Sequence, residues 1–280
     1  MYTDLNRPPL GVDALRRALV GDSPGDDPRA FYSSLDVVAE TGSTNADLLA
    51  RAADTALDRA VLVAEFQGHG RGRHARVWEA PPRSALAVSV LLRMPGLDVA
   101  RLGWLPLLTG VAVVDALRTV AEVDAKLKWP NDVLIGGRKV AGILAEVAQT
   151  APVPAVVVGV GLNVTLTQDE LPVPTATSLA LAGAATTYRD TVLRAVLREL
   201  AAQWNAWHAD GWSTESLAAA YRARCGTIGQ PVRVTLPGER VLVGVASDVD
   251  EQGRLVVAPD DGGEPVVVSA GDVTHLRPRD

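Results

Sequence analysis

An α+β fold is the class this sequence predicts, with a mixed-sheet domain followed by a small C-terminal β-barrel. Three observations point to it. Apolar residues recur at helical spacing over 104–122 and 189–207. Gly136-Gly137 separates two short apolar runs, a two-residue hairpin signal, since both central positions of such a turn need φ > 0. After Gly226 the character changes to five short strands spaced by turn residues.

The 280 residues, 48% apolar and 21% charged, suit one large domain with a small second one. No uninterrupted apolar run reaches the ~18 residues of a membrane span, and the opening residues lack a signal-peptide core. A single cysteine, Cys225, excludes an internal disulfide framework and a Cys₄ or Cys₂His₂ zinc site. The expectation is a soluble, cytoplasmic protein. A net charge of −6 argues against a surface devoted to nucleic acid or to anionic membrane.

In order along the chain, residues 1–30 read as an N-terminal extension with one helical pattern over 12–19, where Leu15 and Leu19 form a stripe. A strand at 36–40, a turn at 41–43 and a helix from 44 follow, with N-caps available at Ser43 or Thr44. Strands are expected at 60–66, 85–92, 126–128, 133–135, 138–147 and 155–164, and a third helix at 214–224. The boundaries are therefore 31–226 for the main domain and 227–280 for the barrel, with strands at 232–236, 241–247, 255–258, 265–269 and 273–276.

Two stretches carry chemistry. Gln67-Gly-His-Gly-Arg-Gly-Arg-His-Ala-Arg-Val-Trp78 has glycines at 68, 70 and 72, which argue against stable helix or strand. Arg71, Arg73 and Arg76 supply planar forks suited to phosphate or carboxylate. The stretch matches neither the phosphate loop nor the dinucleotide pattern. The second runs from Lys128-Trp-Pro-Asn-Asp132 to Lys139-Val-Ala-Gly142 and holds two of only three lysines among 27 basic residues. With the turn at 136–137, Asp132, Leu134, Lys139 and Ala141 share a face, so Asp132 and Lys139 come within reach as diagonal neighbours. Such a pair is either a surface ion pair or a lysine poised over an anion. Gly142 and Gly161 suggest close approach of a ligand to strand backbone.

Together with Ser43-Thr44-Asn45 and Gly159-Val-Gly-Leu-Asn163, these motifs closely resemble, in order and spacing, those of the biotin protein ligases of the type without an N-terminal DNA-binding domain. The resemblance runs from about residue 36 to the end. Ala75 stands where the family usually has glycine, and His69 where it has a small residue. What it implies is a class II synthetase-like catalytic domain with a C-terminal SH3-like barrel. Biotin and ATP, with Mg²⁺, would form biotinyl-5′-AMP, and a lysine of a biotin carboxyl carrier domain of an acyl-CoA or pyruvate carboxylase would take the biotin. Carried over by motif, Ser43, Thr44, Asn45, Gln67, Arg71, Arg73 and Lys139 would hold biotin. Arg71, Arg73, Arg76, Trp78, Asn131, Lys139 and Asn163 would hold ATP and the adenylate. Lys139, Arg73 and Asp132 would serve catalysis, with Asp132 a metal ligand.

A rival within this fold, a lipoate ligase or octanoyl transferase, would in its transferase form need a cysteine nucleophile, and only Cys225 offers one. A biotin-responsive repressor is the rival from another class. About 30 residues before the catalytic pattern are too few for a winged helix. The C-terminal part carries five arginines against nine acidic residues, a surface that repels DNA phosphates. The expectation is a monomer or weak homodimer that binds neither nucleic acid nor membrane.

Overall fold

The computed structural model describes residues 7–21, 31–149, 151–236, 240–269 and 271–276, with backbone alone for Ala75 and Asp272. In chain order, α1 (Val12–Leu19) and β1 (Ser34–Val38) lead to α2 (Thr44–Arg51) and β2 (Ala60–Ala64). A miniature hairpin of β3 (Gly70–Arg71) and β4 (Val77–Trp78) precedes β5 (Ala85–Arg93) and α3 (Trp104–Val120). The meander β6 (Ala125–Lys128), β7 (Asp132–Ile135), β8 (Arg138–Gln149) and β9 (Ala155–Asn163) comes next, then α4 (Arg189–Ala209) and α5 (Glu215–Arg222). The last strands are β10 (Pro231–Thr235), β11 (Val241–Val249), β12 (Leu255–Pro259), β13 (Val266–Val268) and β14 (Asp272–His275).

Seven strands form one mixed sheet in the order β1-β2-β5-β9-β8-β7-β6, parallel only between β1 and β2. Alternation along β2, β5 and β9 divides its faces. Val61, Val63, Leu86, Val88, Val158 and Val160 enter the main core with α3 and α4, whereas Leu62 and Val157 meet Leu48 of α2 on the other face. No described helix is long and apolar enough to cross a membrane.

Two expectations need correcting. The glycine-rich stretch does form strand structure: Gly70 pairs with Trp78 and Arg71 with Val77. Glycine permits this pairing, because a Cβ at Gly70 would overlap the Trp78 carbonyl. In the β7–β8 hairpin Leu134 opposes Lys139 and Ile135 opposes Arg138, as the turn requires. A register shift between Val133 and Leu134 then places Asp132 opposite Gly142 instead of Ala141. Val140 and Ala141 both reach 0% exposure, so core burial of two successive apolar residues accounts for the extra one. Among the described residues the C-terminal strands form one antiparallel sheet in the order β13-β12-β11-β10-β14.

Residues 7–21 pack into the fold. Leu10, Leu15 and Leu19 belong to the main core, and Arg7 donates to Glu170 and to the Thr165 carbonyl. The C-terminal sheet is likewise docked, by two indoles. Trp104 donates to the Glu251 carbonyl and Trp129 to that of Gly253, at 2.8 and 2.9 Å.

Candidate active site

Across four strands of the α2 face, Ala64, Ala87, Gly161 and Gly142 stand opposite one another in register. No side chain in that row exceeds a methyl group, so the sheet forms a bare floor. Trp78 lies on it. A Cβ at Gly161 would sit 2.5 Å from indole Cε2, and one at Gly142 would sit 3.1 Å from Cζ3. The two glycines thus admit the protein's own indole, where the sequence suggested a ligand. The indole N–H is buried without an acceptor. A shallow open hollow adjoins the ring, walled by Ala64, Gln67, Pro81, Ala85 and Ala87.

At one end of the floor Lys139 Nζ lies 2.6 Å from Asp132 Oδ1 and 5.7 Å from the Trp78 ring centre. The hairpin turn brings this pair together as its spacing predicted. Arg73 donates to Asn131 Oδ1 at 3.0 Å, and Asn131 in turn donates to the Ile143 carbonyl at 2.8 Å, which anchors the arginine to the β6–β7 connection. Trp78, Asp132 and Lys139 therefore meet at this end, with Arg73 and Asn131 joined on the adjoining β6–β7 connection.

At the other end Ser43 caps α2, accepting from the Ala46 N–H at 3.4 Å. Gln67 Oε1 accepts from the Thr44 N–H at 2.8 Å and lies 3.0 Å from the Thr44 hydroxyl. That hydroxyl is also 2.7 Å from Ser89 Oγ. Ser89 donates to Asn45 Oδ1 at 2.6 Å, and the single Thr44 hydroxyl proton is shared between Gln67 Oε1 and Ser89 Oγ. Asn45 donates to the Leu144 carbonyl at 3.2 Å and to Glu146 at 2.8 Å, and Glu146 pairs with Arg71 at 3.0 Å. One chain of polar contacts therefore runs from Gln67 to Arg71.

Arg76 is exposed on the hairpin, and Asn163 is 3% exposed, donating to the Thr177 carbonyl at 2.9 Å. Two residues that the sequence reading missed belong to the chain. Ser89 was legible as a hydroxyl on an otherwise apolar strand; Glu146 alternates with apolar neighbours on β8 and gave only a weak signal. Cys225 is buried at 8% exposure in the main core, and burial pushes its thiol up.

Residues 40–163 match the biotin/lipoate A/B protein ligase family, and residues 227–276 match the biotin protein ligase C-terminal domain. The biotin–[acetyl-CoA-carboxylase] ligase of Mycobacterium tuberculosis is 51% identical over 278 residues, 98% of each chain. The bifunctional ligase/repressor BirA of Escherichia coli is 30% identical over 81% of this chain and 70% of its own length. The solved structure of the Aquifex aeolicus biotin protein ligase in complex with biotin and ATP matches at a TM-score of 0.72. It is 26% identical, over 88% of this chain and 100% of that one. The chain belongs to the biotin protein ligase family.

Proposed function

We propose that this protein links biotin to a lysine of a biotin carboxyl carrier domain in two steps, with biotinyl-5′-AMP as the intermediate. The observation that carries this reading is the 51% identity, along nearly the whole chain, to a biotin–[acetyl-CoA-carboxylase] ligase. The site chemistry supports it. Thr44 and Gln67 offer donors and acceptors suited to a ureido head, with Asn45 ordering the polar chain behind them and Ser43 beside them at the start of α2. Biotin carboxylate attacks the α-phosphorus of ATP and pyrophosphate leaves. Two anions must meet, so Arg71, Arg73 and Lys139 offset their repulsion and the charge that develops on the phosphoryl oxygens. Trp78 offers a face for adenine, and the acceptor lysine amine then attacks the acyl carbon, releasing AMP.

No group of three or more His, Cys, Asp or Glu side chains among the described residues could hold a metal ion. Mg²⁺ would enter with the nucleotide and neutralise phosphate charge, and Asp132 would be the carboxylate available to hold it. The acyl-transferase rival is weakened by Cys225, whose thiol is buried and pushed toward its protonated form. Mass spectrometry of a carrier domain incubated with the protein, biotin, ATP and Mg²⁺ should show the mass of one biotin added at one lysine. Transfer of a lipoyl group in its place, or of neither, would overturn the assignment.

A further inference from the structure

Glu146 has no part in the assignments above, yet it stands where two networks meet. Its carboxylate lies 3.0 Å from Arg71 Nη2 through one oxygen. Through the other it lies 3.2 Å from the same nitrogen and 2.8 Å from Asn45 Nδ2. Asn45 is 4% exposed and continues inward to Ser89, which is 0% exposed, and on to Thr44 and Gln67. The Asn45 amide is fully engaged, with both N–H bonds given away and its oxygen accepting from Ser89, so its orientation fixes one side of Glu146. Arg71, by contrast, sits on the small β3–β4 hairpin with its side chain 43% exposed, so it is free to exchange one carboxylate for another.

We propose that Glu146 is a positioning residue that holds Arg71 at the mouth of the site as a stand-in for the ligand carboxylate, and that an incoming carboxylate must displace it. This rests on the biotin reading above. The consequence is a direct competition: Glu146 pre-orients the guanidinium toward the head pocket while lowering net affinity for an anion. A neutral ligand leaves the Arg71–Glu146 pair in place and is indifferent to it.

Calorimetry on the full chain without ATP tests this with two probes, biotin and biotinol, in which a primary alcohol replaces the carboxylate. Glu146→Gln keeps the side-chain size and an acceptor for Asn45 but removes the competing charge. It should tighten biotin by roughly 2- to 5-fold, the range of a partly exposed ion pair, and leave biotinol unchanged. Glu146→Asp keeps the charge, so its ratio of biotin to biotinol affinity should stay near that of the parent. Equal changes for the two probes in Glu146→Gln would mean a structural role and overturn the proposal, as would unchanged biotin affinity. A parent protein that binds neither probe would overturn the biotin reading itself.

Discussion

At the scale of single residues the site depends on what is missing as much as on what is present. Gly142 and Gly161 face each other across β8 and β9, and Trp78 lies over both. Gly161→Ala would drive a methyl group into the middle of the indole, 2.5 Å from Cε2, where a rigid ring cannot yield by a small rotation. Nucleotide affinity should fall by roughly tenfold or more, a loss of about 1.4 kcal/mol, with biotin affinity less affected. Titration of each ligand separately checks this; equal losses for both would place Trp78 outside the nucleotide site. Lys139→Ala should behave differently. Its pair with Asp132 is partly exposed, so it contributes about 0–1 kcal/mol and the urea midpoint should scarcely move. Loss of a cation at the reacting phosphoryl group should slow adenylate formation by on the order of 10²–10³-fold. Pyrophosphate exchange at the parent rate would remove Lys139 from the chemistry.

At the scale of elements, the N-terminal segment braces the strand that carries the head pocket. Glu65, next after β2 and two residues before Gln67, accepts from the Leu10 N–H at 2.7 Å and from Arg189 of α4 at 2.6 Å. Arg189 is 5% exposed and also donates to the Pro8 carbonyl. Glu65→Ala would leave a buried guanidinium without its charge partner, so it should cost about 3–5 kcal/mol in denaturant unfolding. A change within experimental error would mean that water replaces the carboxylate. This brace was hidden in the sequence because its partners are up to about 180 positions apart and no local pattern links them. Local patterns read well: the helical stripe of α3, the Gly136-Gly137 turn and the Ser43 cap all follow from neighbours a few residues away. The register shift after Val133 did not, because it depends on which face of the finished sheet can bury Val140 and Ala141 together. The same limit explains the site. The charged motifs Arg71–Trp78 and Lys128–Lys139 were legible as short runs, whereas Ser89 and Glu146 acquire meaning only when α2 is laid across β5 and β8.

At the scale of the whole molecule, strong acid should weaken the tie between Arg7 and the segment after β9. Glu170 is lowered to about 2 from its ordinary 4.5, chiefly by its hydrogen bond with Arg7. The fold therefore favours the ionised form. That stabilisation is complete above pH 4.5 and is lost as pH falls through about 2. Glu170→Gln should flatten this part of the stability profile between those values, and an unchanged acid limb would show that the tie contributes nothing. A last consequence follows from where the indoles lie. The chain has six tryptophans, and Trp104, Trp129, Trp204, Trp207 and Trp212 are all at or below 7% exposure. Only Trp78, on the glycine floor beneath Lys139, is partly open to solvent. The protein thus carries an optical probe at its own site: acrylamide should quench the emission of one indole in six, and a ligand that covers the floor should protect that same fraction.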